Sequence, residues 1–265
     1  MAGTRQLLLR ASAAFAVTLA IVGLPVAASA STGSADCSGG SVAAGSYSSL
    51  TISGFCQADA GDVHVSGNLT VAPGAGLLAA FGGSDITVGG NLLVGSGAIL
   101  ALGCEPEAFP CFNDPDQQVG TLSTNHSIGG NLVANGALMV LAHNNTIGGR
   151  VVQTGGGGGV TCDLFPLGPD GPPAYSTYED NTISGGANVV GVHTCWMGFI
   201  RNHVSGTVVY NANLTADPDA NEVVTNTVGG NLVCQGNDPA TQVGDSGGSP
   251  NTVHRRAVGQ CSSLV

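Results

Sequence analysis

Few side chains in this 265-residue chain have the chemistry of a catalyst, and most of those are acids. Arg150 and Arg201 are the only basic residues inside its repeated segments, and the acids nearest them in sequence are Asp163, Asp170, Glu179 and Asp180. Glu179 and Asp180 precede Arg201 by about one repeat, a spacing that lets the three meet. An arginine facing carboxylates can take part in proton transfer. It can equally form a surface ion pair worth about 0–1 kcal/mol. If the chain is an enzyme, Arg201, Glu179 and Asp180 are the catalytic candidates; otherwise it has no catalytic residues and these acids are solvated.

The other candidates read more plainly. Glu105, Glu107, Asp114 and Asp116 crowd one stretch, but no EF-hand or nonapeptide Ca²⁺ motif contains them, so a solvated loop is expected. Asp217, Asp219 and Glu222 in "ADPDANE" are read the same way. The histidines at 64, 126, 143, 193, 203 and 254 are scattered singly. His126 and His203 are read as equivalent corner positions. No C-x-x-C or H-x-x-x-H occurs, so no metal is expected. No nucleophile elbow or phosphate loop appears, and no cofactor is expected. The "GGGGG" at 155–159 lacks a following lysine and reads as a flexible joint. Trp196, the only tryptophan, is either a sugar-stacking platform or a cover for the neighbouring Cys195.

These residues are carried by an exported chain. Arg5 and Arg10 precede the apolar run "ASAAFAVTLAIV" (11–22), and "AASA" ends at Ala30. That is the pattern of a Sec-type signal peptide over residues 1–30, cleaved after Ala30. The apolar run is shorter than the roughly 18–20 residues that span a bilayer. The remaining 31–265 hold all seventeen acids and four arginines, a net charge of 4 − 17 = −13. Such a chain repels polyanions, so nucleic acid is an unsuitable partner. Eight cysteines, at 37, 56, 104, 111, 162, 195, 234 and 261, fit disulfides in an oxidising compartment. Their number allows 105 pairings. The expected one is sequential, Cys37–Cys56, Cys104–Cys111, Cys162–Cys195 and Cys234–Cys261, which keeps each loop within one or two repeats. The first ring would stabilise by roughly 3 kcal/mol through chain entropy.

The repeat governs everything else. "ITVGGNLLVGSG" (86–97), "HSIGGNLVANG" (126–136), "NTIGGRVVQTG" (145–155) and "NTVGGNLVCQGN" (226–237) restate one unit. From Gly67-Asn68 to Gly230-Asn231 its marker recurs at 23, 40, 19, 37, 20 and 24 residues. The two long gaps contain insertions, 103–120 with Cys104 and Cys111, and 155–178 with the glycine run and "FPLGPDGPPAY". Without them the period is 19–24 residues, the mark of a solenoid. Apolar residues recur at every second position (Val63, Val65, Leu69, Val71, Leu77, Ala79), which means strand. The expected fold is all-β: a single-stranded parallel β-helix of about seven to eight coils, each with three short strands and glycine corners. Asn145, Asn181, Asn226 and Asn251 before Thr, and Asn125 and Asn202 before His, allow a stacked amide ladder; plain turn preference explains them equally well.

On these motifs the chain resembles right-handed parallel β-helix proteins over about residues 36–261. Its ending, "NTVGGNLVCQGN…GQC", resembles small exported actinobacterial proteins of unassigned function, and "GGNLxV" is similar, more distantly, to the bactofilin repeat. The resemblance carries over no site residues. The expected function is read from the chain itself: a secreted, non-enzymatic structural, display or binding module whose insertions at 103–120 and 155–178 act as contact loops, with an extracellular polysaccharide or cell-surface component as partner. Two alternatives stand beside it. Many β-helix proteins are polysaccharide lyases or hydrolases, a role that would fall to Arg201 with Glu179 and Asp180. Open coil ends could also drive self-assembly into oligomers.

Overall fold

The computed structural model describes residues 33–58, 61–80, 84–106, 109–116 and 120–265. The expected signal peptide and Glu107 lie outside the described residues. The chain winds as a parallel β-helix whose walls are three parallel sheets. Sheet A has ten strands, from Ser34–Cys37 to Ala257–Gly259; sheet B has eight, from Gly40–Ser41 to Glu222–Val224; sheet C has nine, from Gly45–Tyr47 to Thr252–Val253. Each coil runs through C, A and B in turn, as in Val63–Val65, Leu69–Val71 and Gly76–Ala79. Ten strands at about 4.8 Å spacing make a stack about 43 Å tall.

Alternation puts every second side chain inside. Leu50, Leu69, Leu92, Leu132, Val151, Ala187, Val208 and Leu232 stack in register along sheet A, and all are buried. Each such leucine contributes about 1.5–3 kcal/mol of apolar burial. Toward the C-terminal half the interior admits Tyr178, Phe199 and Tyr210, all fully buried. The tyrosine hydroxyls need partners there. Tyr178 donates to Gln153 Oε1 at 2.9 Å and Tyr210 to Asn221 Oδ1 at 2.9 Å.

The Gly-Gly corners join sheet C to sheet A, and close approach is what requires glycine in them. A Cβ on Gly90 would sit 2.7 Å from Gly67 O, and one on Gly130 2.7 Å from Gly90 O. Successive corners carry an outer amide ladder. Asn68 Oδ1 accepts Asn91 N–H, Asn91 Oδ1 accepts Asn131 N–H, and Asn131 Oδ1 accepts Arg150 N–H, each at 2.8 Å.

The corners from B to C carry the buried ladder, formed by Asn145, Asn181, Asn202, Asn226 and Asn251. In the last four, Oδ1 accepts the backbone N–H of the asparagine one coil back, at 2.9–3.1 Å. The five amide nitrogens donate to the Leu102, Ala142, Tyr178, Phe199 and Val223 carbonyls. Turn preference alone does not demand such bonds; satisfying buried backbone groups does. Asn125 stays outside. Its place in the ladder is taken by His126, whose Nδ1 accepts Ile86 N–H at 2.8 Å and whose Nε2 faces Ala79 O at 3.0 Å. His126 and His203 are therefore not equivalent: Ser127 aligns with Thr146 and Thr182, and His203 aligns with Thr182, one position later.

The cysteines join as Cys37–Cys56, Cys104–Cys111, Cys162–Cys195 and Cys234–Cys261. The insertions differ from a pair of solvated loops. The first departs after Leu102 and rejoins at Ser127, and the second ends by Tyr175, where the sheet B strand Tyr175–Glu179 begins. Both lie on the outer face of sheet B and close a second small core with Ile99, Ala101, Met139, Leu141, Ala174 and the Cys104–Cys111 pair. The five glycines at 155–159 form a bonded turn and not a joint. All have positive φ, Gly157 N–H donates to Ala137 O, and Gly159 N–H donates to His193 O. Asp114 holds the first insertion closed by accepting the Thr121, Leu122 and Asp116 N–H groups, which bring its carboxyl down to about 2.

A candidate functional site at the corner between sheets B and C

Asn144, Asp180, Arg201 and Thr225 occupy the same corner position in successive coils, and each has φ between 53° and 59°. This left-handed residue turns the chain from sheet B into sheet C just before each buried asparagine. Non-glycine residues are strained in that conformation, and short polar side chains bear it best. Here the stacking sets Asp180 and Arg201 side by side, one coil apart. Glu179 ends its strand one residue earlier, aligned with His143 on one side and Ile200 on the other.

The three expected residues thus converge. Arg201 Nε donates to Asp180 Oδ1 at 2.8 Å, and Nη2 reaches Asp180 Oδ2 at 2.6 Å and Glu179 Oε2 at 2.8 Å. The fork is bidentate on Asp180, the strong form of this contact. The Asp180 hydrogen bond is the main cause that raises the Arg201 guanidinium above its usual range. Burial pushes Glu179 up, opposed by the Thr177 hydroxyl and by Arg201; Thr177 Oγ1 donates to Glu179 Oε1 at 2.6 Å.

Two further residues join them, each classed by sequence as solvated or solitary. Glu105, from the first insertion, lies against Asp180. Burial first, and then the hydrogen bond and charge of that facing carboxyl, push it up to about 8. His143 is fully buried, with neither ring nitrogen bonded. Its ring stacks on Phe109 at 4.0 Å and 7°, and burial brings it down to about 3. Phe109 and Glu105 pair as a short bridge inside the Cys104–Cys111 loop. The first insertion is therefore pinned to the wall by a ring stack and a carboxyl pair. No local signal could have revealed this, because Glu105, His143 and Arg201 are far apart in the chain.

The remaining candidates lie elsewhere. Trp196 begins the sheet B strand Trp196–Ile200, its ring over Gly198 and edge-on to Tyr175 at 6.1 Å. Glu222 is not solvated: it is fully buried in sheet B, and burial pushes its carboxyl up to about 7. Among the described residues no group of three or more His, Cys, Asp or Glu is placed to hold a metal, and no helix is long and apolar enough to cross a membrane.

Fold and disulfides define this chain as a disulfide-clipped parallel β-solenoid. No family model, curated protein or solved structure matches it.

Proposed function

We propose that the protein is exported by cleavage after Ala30 and works outside the cell as a non-enzymatic module, a rigid solenoid that presents its insertions to a polysaccharide or a cell-surface component. The observation that carries this reading is the closure of the Arg201 cluster. Both donor edges of the guanidinium used here are taken by Asp180 and Glu179. A cation so held has no lone pair to accept a proton, so the one lyase-like constellation lacks its base. Apolar side chains on the insertions add support: Phe112, Val160, Leu164, Phe165 and Leu167 are exposed, as contact surfaces are. Four disulfides fit an oxidising compartment. End-to-end assembly has less support, since Cys261 and Leu264 pack against the core beside the last coils.

The test is incubation with pectate, alginate and glycosaminoglycans plus Ca²⁺, following absorbance of unsaturated ends and release of reducing ends. The expected outcome is no product. Unsaturated ends that vanish in Arg201→Ala would sink the reading. A second reading has one observation in its favour, Glu105 set against Asp180 with its carboxyl raised by burial, as the acid of a glycosidase is raised. It predicts reducing ends that disappear in Glu105→Gln.

A further inference from the structure

One carboxylate of the wall is buried with nothing bonded to it. Glu222 opens the last strand of sheet B, Glu222–Val224, in the column of Thr177 and Gly198. Its neighbour Val223 lies in the central core, so Glu222 points away from the tube. It is fully buried all the same, and neither of its carboxylate oxygens makes a hydrogen bond. Other buried acids of the chain are served. Asp114 accepts three N–H groups, and Glu179 holds Arg201 and the Thr177 hydroxyl. A buried carboxylate without such partners calls for a proton, a water or a cation.

Its cover is an arch over residues 243–248, pinned at both feet to the strand beneath. Gln242 N–H donates to Asn221 O at 3.2 Å, and Gln242 O accepts Val223 N–H at 3.0 Å. At the other foot Ser249 O accepts Thr225 N–H, and Ser249 N–H donates to Thr225 Oγ1, each at 3.0 Å. Between the feet no arch carbonyl accepts a backbone N–H among the described residues. Gly244, with φ +68°, lies so close that a Cβ there would overlap the Glu222 carboxylate. Asp245 and Ser246 come next and approach the same carboxylate. Both are exposed, which gives an ion an entry path and room for its waters. Glu179 and Asp180 have Arg201 between them; Glu222 and Asp245 face each other with no cation among the described residues.

The donors at hand are all oxygens: two carboxylates, a hydroxyl and unbonded carbonyls. Such a set suits hard cations and not zinc. Mg²⁺ demands near-octahedral ligands at about 2.0–2.1 Å, which a glycine-rich arch does not impose, whereas Ca²⁺ accepts six to eight oxygens at about 2.3–2.6 Å in looser geometry. We infer that Glu222 and Asp245 hold a Ca²⁺ ion between sheet B and the arch, with the Ser246 hydroxyl, arch carbonyls and water completing its shell. The ion supplies the charge that the pair lacks and ties the arch to the last coils. With only two carboxylates the affinity should fall at about 10⁻⁴–10⁻³ M, the weak end of the Ca²⁺ scale. A proton shared by the two carboxyls is the rival partner, and it would leave Ca²⁺ without effect.

Trp196, the only tryptophan, provides the probe. Its ring lies over Gly198, which pairs with Glu222 one coil away. The experiment strips the oxidised protein with a chelator and titrates it with Tb³⁺ under indole excitation, then competes with Ca²⁺ and Mg²⁺. Sensitised Tb³⁺ emission should saturate, and Ca²⁺ should displace it far better than Mg²⁺. Glu222→Gln and Asp245→Asn should each weaken Tb³⁺ and Ca²⁺ binding by about tenfold or more, and Asp36→Asn, in the first coil, should change neither. About 10 mM Ca²⁺ should raise the melting temperature of the wild type by about 3–10 °C and leave that of Glu222→Gln unmoved. Asp245 is exposed, so Asp245→Asn keeps the test open should Glu222→Gln fail to fold. No saturable emission, Mg²⁺ competing as well as Ca²⁺, or undiminished binding in Asp245→Asn or in folded Glu222→Gln would each overturn the inference.

Discussion

Cutting the two amide ladders at one residue each tests whether burial sets their worth. Asn202 is 1 % exposed. Its Oδ1 accepts Asn181 N–H at 3.1 Å, and its Nδ2 donates to Tyr178 O at 2.8 Å. Asn202→Ala leaves that N–H without an acceptor and that carbonyl without this donor, in a place water does not reach. A buried orphan costs about 1–3 kcal/mol, and the lost amide volume adds to it, so the expected loss is about 3–4 kcal/mol. Asn91 makes the same bond to Asn131 N–H at 2.8 Å at a half-exposed corner. Water replaces it there, and Asn91→Ala should cost no more than about 1 kcal/mol. Guanidinium unfolding of the oxidised variants gives both values, and hydrogen exchange at the Asn181 amide localises the first. Solenoids can unfold coil by coil, so exchange is the sharper readout. Equal losses, or an unprotected Asn181 amide in the wild type, would refute the argument that the inner ladder stabilises by satisfying buried backbone.

Two further outcomes are expected. Glu105 is raised when folded, so its contribution is complete below its unfolded pKa and is lost as pH rises through about 8; Glu222 behaves likewise up to about 7. Below pH 6.5 the buried, lowered His126 and His143 act in the opposite sense, so the clean window is pH 6.5–8. There stability should fall by about 1 kcal/mol after discounting for the half-exposure of Glu105, and Glu105→Gln should lessen the fall, the remainder belonging to Glu222 and Glu179, as thermal melts across that range will show. In the second insertion, Gly157 has φ +91° and a Cβ there would strike the His193 carbonyl, whereas Gly168 has φ +104° and open space around it. Gly157→Ala should therefore cost clearly more than the roughly 1–3 kcal/mol of backbone strain that Gly168→Ala incurs; equal melting temperatures would contradict the packed turn described above.

The coil was legible because each of its rules is local. Period-two alternation and a three-residue Gly-Gly corner fall within one coil, and the paired cysteines are 7 to 33 residues apart, so spacing alone carries them. The buried ladder was half legible: Asn before Thr marked it, but only register shows that His126, and not Asn125, fills the missing place. What stayed hidden depends on side chains meeting across coils. Nothing near Glu105 announces Asp180, and nothing near Phe109 announces His143. The glycine run misled because five glycines in sequence resemble a linker; here positive φ and crowded carbonyls require them. Glu222 misled because "ADPDANE" is polar, although its last residue opens a strand inside sheet B.

The corner from sheet C to sheet A has three residues eight times in succession, from 66–68 to 254–256, while the other two edges vary and hold both insertions. Backbone-to-backbone crowding at that edge forbids any lengthening, so it acts as a ruler that fixes the pitch of the whole tube. Foreign peptides spliced into the remaining two edges would be held at regular heights on one rigid rod, which makes the molecule a natural rack for spacing epitopes or enzymes at nanometre intervals.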